Sequence, residues 1–302
     1  MKFGIFLPLE LKDPIAVRDF VQAVEELGFD HIGFGDHVLG VNPATHDLGG
    51  PYTHKTVWHE PMVTMGYAAH ATKRINFVTG IVILPQRQAV LVAKQAAQVD
   101  VLSGGRLRLG IGSGWNPVEY EALGMDFAAR GKMMDEQIDV MRQLWCNELV
   151  TYRGQWHTIV DAGINPLPVQ QPIPIWMGGW SEPVIKRLAK KGDGWLLYCD
   201  LELDGKPAIA KLHKQCEAVG RNPAEIGIQG WVIVNKCNVA AGERQKPGAA
   251  ELRSPEEWLR DARAWKAAGA THLECWTTWG NLYTVDEHVK LAGRFLEVMS
   301  GL

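Results

Sequence analysis

An α/β fold of the TIM (β/α)8 barrel class, with loop insertions, is what this sequence predicts, and three observations predict it. Strand-like and helix-like segments alternate eight times along 302 residues, a length at which one such barrel fills a single domain. The stretch from Ile75 to Trp115 reads as apolar strand, amphipathic helix, tight turn and second apolar strand, which is a right-handed parallel crossover unit. Both of its strands carry small residues toward their carboxyl ends, Thr79-Gly80 within the first and Gly112-Ser113-Gly114 after the second. Small residues there let a flat ligand lie against backbone at the end of a barrel where active sites form. A doubly wound sheet is the competing architecture, but it needs a topological switch point and a dinucleotide fingerprint, and neither is present in good form. Residues 1–302 are therefore read as one domain.

Taken in order, Lys2 to Leu7 is the first strand. Asp13-Pro14 supplies an N-cap with proline at the first helical position, Phe20, Val21, Val24 and Leu27 share a face, and Gly28 closes the helix. His31 to Gly35 is the second strand, followed by Asp36-His37 and a polar loop rich in Gly, Asn and Thr to about Thr56. A loop of that length in a compact domain marks a functional lid or a disordered insert, and here it is expected to close over the pocket. Helix two covers about Glu60 to Thr72, and Ile75 to Leu84 is strand three. Val90, Leu91, Ala93, Ala97 and Leu102 mark the next helix, Ser103-Gly104-Gly105 a tight turn, and Leu107 to Ile111 strand four.

The spacing of Met134, Ile138, Met141 and Leu144 predicts a helix over Gly131 to Trp145, and residues 149–159 alternate about Gly154 like a hairpin outside the barrel. Pro172 to Pro174 leads into strand five, IWMGG, and Ser181-Glu182-Pro183 starts the following helix. Gly194 to Tyr198 is strand six, Ala208 to Val219 its helix, and Ile226 to Val234 strand seven, with a connection rich in Gly, Lys and Ala to about Arg253. Ser254 with Glu257 and Thr284 with Glu287 read as capping boxes that begin the last two helices, and His272 to Thr277 between them is strand eight. Trp258 and Trp265, at i and i+7, are read as core.

Hydrophobic residues at 46%, charged residues at 22% and a formal net charge of −3 leave no electrostatic footprint for nucleic acid or an acidic membrane surface. Cys146, Cys199, Cys216, Cys237 and Cys275 are scattered and form no C-x-x-C, which points to a reducing compartment and to cysteines acting as small apolar residues. Strand-like sequence begins directly after Met1-Lys2, and no apolar run of about 18 residues occurs, so a cytoplasmic location is expected.

Several groups are candidates for chemistry. Gly110-Ile111-Gly112-Ser113-Gly114 is one residue short of the dinucleotide pattern, and no acidic residue ends the next strand. It reads either as a barrel loop that lets a cofactor approach the backbone or as a ligand-free turn. In Gly178-Gly179-Trp180-Ser181 a strand ends in two glycines and a serine then caps a helix, whose first-turn N–H groups and dipole suit phosphate; an ordinary N-cap is the alternative. His37 follows strand two beside Asp36, which is expected to orient its imidazole and raise its basicity. His54, His59 and Glu60 are the nearest approach to a metal set, but no ligand spacing supports a metal, and no G-x-S-x-G supports a serine hydrolase. Trp115, Trp180, Trp231, Trp276 and Trp279 fall in or just after strands four, five, seven and eight, where tryptophans can wall an apolar pocket over a planar ligand.

Four pieces, in this order and spacing, carry a resemblance: GFDHIGFGDHV, RINFVTGIVILPQRQAVLVAKQAAQVDVLSGGRLRLGIGSGW, EYEALGMDFAARGKMMDEQIDVMRQLW and PIPIWMGGWSEPVIKRLAKKGDGW. The chain resembles, over nearly its whole length, the bacterial luciferase-like superfamily, and within it the branch that uses the deazaflavin coenzyme F420. The resemblance implies a TIM barrel, usually a homodimer, with the cofactor ring at the carboxyl ends of the strands. It implies a bulge in strand three, after Thr79, with a non-proline cis peptide backing the ring, whose counterpart here is Gly80-Ile81. His37 matches the histidine near the reacting carbon. Gly178, Gly179 and Ser181, with Trp180 between them, match the phosphate grip, and Gly112, Ser113 and Gly114 the turn beside the ring.

At one position the chain departs. The F420-dependent glucose-6-phosphate dehydrogenases carry an acidic residue after the glycine turn of strand four, where this chain has Trp115. The departure argues against a sugar phosphate and for an apolar or aromatic small molecule. The expectation is an F420-dependent oxidoreductase moving hydride between the deazaflavin C5 and such a substrate, with His37, oriented by Asp36, handling the proton. The alternatives are an FMN-dependent monooxygenase using reduced flavin and dioxygen, and a barrel that binds flavin without catalysis.

Overall fold

Parallel strands close on themselves in the computed structural model, which describes residues 1–46, 48, 52–235, 252–279 and 282–302. The staves are β1 (Lys2–Phe6), β2 (His31–Phe34), β3 in two pieces (Asn76–Thr79 and Val82–Ile83), β4 (Leu107–Gly112), β5 (Ile175–Gly178), β6 (Gly194–Leu196), β7 (Gly227–Ile233) and β8 (His272–Trp276). Each pairs in parallel with the next, and β8 returns to β1 with Leu273 opposite Phe3, so no edge is left open. Both pieces of β3 pair with β4, Phe77 with Leu107 and Val82 with Ile111. The eight-fold alternation read from the sequence is thus an eight-stave barrel.

Around it lie α1 (Pro14–Leu27), α2 (Pro61–Ala71), α3 (Ala89–Ser103), α4 (Pro117–Ala122), α5 (Arg130–Cys146), α6 (Glu182–Lys191), α7 (Lys206–Ala218), α8 (Pro255–Ala267) and α9 (Val285–Met299). Local chemistry sets their ends. The Asp13 side chain accepts from the Ile15 and Ala16 amides, Gly28 ends α1 at φ 95°, and both capping boxes form. α4 is too short to show a period, and the sequence reading passes over it. The excursion at Val150–Arg153 and Thr158–Ala162 is an antiparallel hairpin, tied to α5 where Glu136 accepts from the Gln155, Trp156 and His157 amides.

Alternation along each strand separates two layers. On β8, Leu273 and Cys275 join the apolar layer beneath the helices with Trp258 and Trp265, whereas Trp276 turns inward and stacks on Phe6 with ring centroids 4.1 Å apart. Cys199, Cys216 and Cys275 are buried free thiols and Cys146 is an exposed one; Cys237 and most of the connection after β7 lie outside the described residues. Among the described residues no helix is long and apolar enough to cross a membrane.

The continuous strand expected over Ile75 to Leu84 is broken. The Gly80-Ile81 peptide is cis, as the resemblance implies, and Leu84–Gln86 is a 3-10 turn. Asp36, just after β2, spans the break: its Oδ2 accepts from the Ile83 amide at 3.0 Å and its Oδ1 from Arg87 at 2.8 Å. Across the gap, Gly110 carries no side chain because a Cβ there would collide with the Thr79 carbonyl oxygen. Gly110→Ala should therefore cost at least about 1–3 kcal/mol of stability, read as a lower urea midpoint at unchanged slope.

Candidate active site

At the carboxyl ends of the strands lies a cavity of about 630 Å3. Asp36, His37, Gly80, Ile81, Gly112, Ser113, Gly114, Trp115, Gly178, Gly179, Trp180, Ser181, Trp231 and Trp276 all line it. Two expected members do not. Thr79 is fully buried behind the wall, where its Oγ1 donates to the Gly110 carbonyl at 2.6 Å. Trp279 stands beyond Trp276, with ring centroids 5.5 Å apart, and its amide donates to Glu10 at 2.8 Å.

The back wall shows why its glycines are glycines. A Cβ on Gly112 or on Gly178 would come within 2.7 or 2.8 Å of the Ile81 side chain, and one on Gly114 within 2.6 Å of Ile83. Three glycines from two strand ends thus make room for the residues that follow the cis peptide. A ligand in the cavity meets Ile81 and bare backbone together.

Asp36 is not the partner of His37. Its two oxygens are committed to Ile83 and Arg87, and Arg87 also reaches Glu60 at 2.9 Å. The expected orientation by Asp36 is therefore corrected: His37 Nδ1 lies 3.1 Å from both oxygens of Glu119. Asn116 and Pro117 start α4 directly after the Gly114 turn, which brings Glu119 across to the end of β2. Glu119 also accepts from the Val38 amide at 2.9 Å and the Leu39 amide at 3.3 Å, and its side chain has no solvent exposure. Burial pushes its carboxyl up, but the His37 ring, the Leu39 amide and Gln86 outweigh burial and leave it below the usual carboxylate range. An ionised carboxylate only accepts, so Nδ1 carries the hydrogen and Nε2 is the basic nitrogen of the neutral ring.

Glu119 escaped the sequence reading, although it stands in one of the quoted pieces. The pattern Asn116-Pro117-x-Glu119 is that of a helix start with its third-position acid, and the acid is used here on a side chain far away in sequence. Tyr52 and Trp58 escaped it as well. Their rings pack on His37 at centroid distances of 5.3 and 4.9 Å, with Trp115 at 5.8 Å, so three aromatics fence the imidazole. The loop after His37 thus reaches the cavity at Tyr52; Asp47 and residues 49–51 lie outside the described residues.

At the opposite end the phosphate-type turn has the expected form. Gly179 adopts φ 96° and Ser181 is the N-cap of α6, yet its hydroxyl makes no capping bond, so the hydroxyl remains for a ligand beside the helix N-terminus. His54, His59 and Glu60 do not converge: His59 Nε2 is bonded to the Leu11 carbonyl at 2.8 Å, and Glu60 caps α2. No group of three potential metal ligands occurs among the described residues.

Comparison with known proteins gives the family and matches the fold. The family model described as luciferase-like monooxygenase matches residues 1–280. An F420-dependent glucose-6-phosphate dehydrogenase of Amycolatopsis mediterranei is 30% identical over 200 residues, covering 65% of this chain and 57% of that protein. Among solved structures, an F420-dependent secondary alcohol dehydrogenase in complex with an F420-acetone adduct superposes with a TM-score of 0.76 at 18% identity, over 98% of each chain. The monooxygenase RslO1 from Streptomyces bottropensis does so with 0.79 at 19%, over 99% of this chain and 100% of that one. The chain spans about half the length of the curated relatives it matches, 53% for an uncharacterized protein of Mycobacterium tuberculosis that is 34% identical over 154 residues, or 51% of this chain.

The Glu119 environment has a consequence for stability. A carboxyl held below its unfolded-state value stabilises the fold above that value and loses the contribution as pH falls through the folded one. Glu119→Gln should be less stable than the wild type by about 1–3 kcal/mol at pH 7. In urea unfolding at a series of pH values, that difference should shrink as pH drops through the acid range.

Proposed function

Since this chain belongs to the luciferase-like monooxygenase family, we propose that it is an F420-dependent oxidoreductase that moves hydride between the deazaflavin C5 and a small apolar or aromatic substrate. The observation that carries the reading is the His37–Glu119 pair, aimed from a fully buried carboxylate at a cavity backed by the Gly80-Ile81 peptide. The relative from Amycolatopsis mediterranei and the superposed alcohol dehydrogenase are F420-dependent proteins, which supports the choice of cofactor.

The residues present fit that group. Gly80 and Ile81 would back the ring, Gly112, Ser113 and Gly114 would flank it, and Gly178, Gly179, Trp180 and the uncommitted Ser181 hydroxyl would take its phosphate. When bound, the deazaflavin supplies the hydride donor or acceptor. The protein supplies the proton. Glu119 fixes the tautomer of His37, so Nε2 takes a proton from a substrate being oxidised or returns it to one being reduced, and the carboxylate stabilises the imidazolium formed. Tyr52, Trp58 and Trp115 exclude water around that nitrogen. With Trp115 where the sugar-phosphate enzymes carry an acid, and Trp231 and Trp276 on the wall, the pocket favours a flat or apolar organic molecule.

We also infer, from the resemblance, a homodimer in the cytoplasm. α2 and α3 pack side by side and leave Val63, Tyr67, Leu91 and Leu102 exposed, an apolar surface that a second copy would cover. Sedimentation at micromolar concentration should return the mass of two chains; the mass of one chain would sink the inference.

Titration of tryptophan fluorescence with oxidised F420 and, separately, FMN tests the cofactor, with F420 expected to bind at least about tenfold more tightly. The reverse order would turn the reading to the flavin monooxygenase, for which product oxygen should carry label from dioxygen. Binding of neither would overturn both. His37→Ala should lower turnover about a hundred- to ten-thousand-fold while leaving F420 affinity nearly unchanged. Unchanged turnover would instead favour a barrel that carries the cofactor without catalysis.

A further inference from the structure

Inside the barrel, among the inward side chains of its strands, lies an acid that the chemistry described so far does not use. Glu274 of β8 is fully buried; its Oε2 accepts from Trp276 Nε1 at 2.7 Å, and its Oε1 has no partner. Gly33 on β2 leaves the room that Oε1 occupies, since a Cβ there would collide with it. Arg108 from β4, Tyr198 just after β6 and Gln229 from β7 face the carboxyl. His31 from β2 and His272 from β8 lie around Arg108, whose guanidinium also stacks on Trp176 at 4.6 Å.

Tyr198 connects this acid to the cavity. Its side chain lines the cavity, its oxygen accepts from Gln229 Nε2 at 2.8 Å, and it lies against Glu274. A phenol oxygen that accepts from an amide keeps its own hydrogen for another acceptor. That oxygen also stands 3.4 Å from where a Cβ on Gly80 would be, beside the backbone expected to support a ligand and on the wall of the same cavity.

We propose that Glu274 is a proton store for the cavity: the neutral acid passes its proton to the Tyr198 oxygen as Tyr198 passes its own to a ligand atom in the cavity beside Gly80. One O–H bond breaks at Glu274 and one at Tyr198, one forms at Tyr198 and one at the ligand, and the charge left behind is a Glu274 carboxylate. Trp276 Nε1 and Arg108 face that carboxylate. Burial pushes the acid up to about 7 even against Trp276, Tyr198 and Arg108, so both of its forms are populated near neutrality. The proposal rests on the redox reading of the cavity for its chemical purpose. Hydride exchange between an organic substrate and a dihydro-ring cofactor moves a proton on each partner, and His37 accounts for one of the two.

Glu274 acts through Tyr198, so its test needs a signal that packing alone would not move. In infrared spectra of the ligand-free protein, the stretch of an un-ionised buried carboxyl should titrate away across neutrality and be absent from Glu274→Gln. The Tyr198 hydroxyl beside the carboxyl lowers the acid, so Tyr198→Phe should move the titration midpoint upward; it also provides the test if Glu274→Gln does not fold. With F420 and substrate, turnover in the direction that consumes the stored proton should fall about tenfold per pH unit above the midpoint, a limb lost in Glu274→Gln. A ligand-free protein with no such carboxyl signal, or a midpoint unmoved in Tyr198→Phe, would overturn the proposal. If F420 supports no turnover in any variant, the cofactor reading fails, while the infrared results still decide the proton store.

Discussion

The break in β3 is the constraint on which the mouth of the barrel depends. A parallel strand that ran straight through residues 80 and 81 would give the cavity a pleated wall with side chains entering it at every second position. Instead the strand ends at Thr79, turns through the cis Gly80-Ile81 peptide and resumes at Val82. The turn is held from three sides. Asp36 takes the Ile83 amide, Thr79 Oγ1 donates to the Gly110 carbonyl, and the glycines at 112, 114 and 178 admit the side chains of Ile81 and Ile83. A buried backbone amide needs an acceptor, and in a sheet that acceptor would be a neighbouring strand. Here a carboxylate substitutes for it, and Arg87 balances the carboxylate's charge.

Asp36 and His37 are adjacent in sequence, yet they serve separate networks. Asp36 looks back into the wall and joins β2 to β3 and Arg87; His37 looks across to α4 and joins Glu119. The division has a physical basis. Asp36 turns its oxygens toward the Ile83 amide and the Arg87 guanidinium, whose positive charge already balances it, so it neither faces the His37 ring nor lacks a counter-ion. Glu119 is held by two backbone amides, which position it, and it keeps both oxygens near Nδ1. It can therefore answer a change of charge on the imidazole without leaving its place. The aromatic fence of Tyr52, Trp58 and Trp115 strengthens that response by keeping water from screening it.

Much of the barrel was legible because local chemistry agreed with the fold. Asp13-Pro14, Gly28 and the two capping boxes mark helix ends through bonds that span only a few residues, and the alternation of strands and helices needs no long-range knowledge. The residues lining the cavity were legible where they follow a strand end, as at His37, Gly112 and Gly178. What sequence could not show was pairing at long range. His37 and Glu119 are 82 positions apart, and the choice between Asp36 and Glu119 turns on which carboxylate the distant Ile83 amide and Arg87 draw away from the ring. Tyr52 was hidden for a related reason: its loop has no period, and only the folded chain brings it against His37.

The glycines of this site show how far a sound residue-level inference reaches. Small residues at strand ends suggest clearance for a ligand, and the cavity does lie against them. Their immediate neighbour, however, is the protein's own Ile81. Clearance for Ile81 and clearance for a ligand are the same requirement seen from two sides. If Gly112 or Gly178 carried a methyl group, Ile81 would have to move, and the wall would enter the space that a flat molecule needs. The pattern of glycines on β4 and β5 therefore specifies the shape of a turn on β3, and the turn in turn specifies the shape of the cavity.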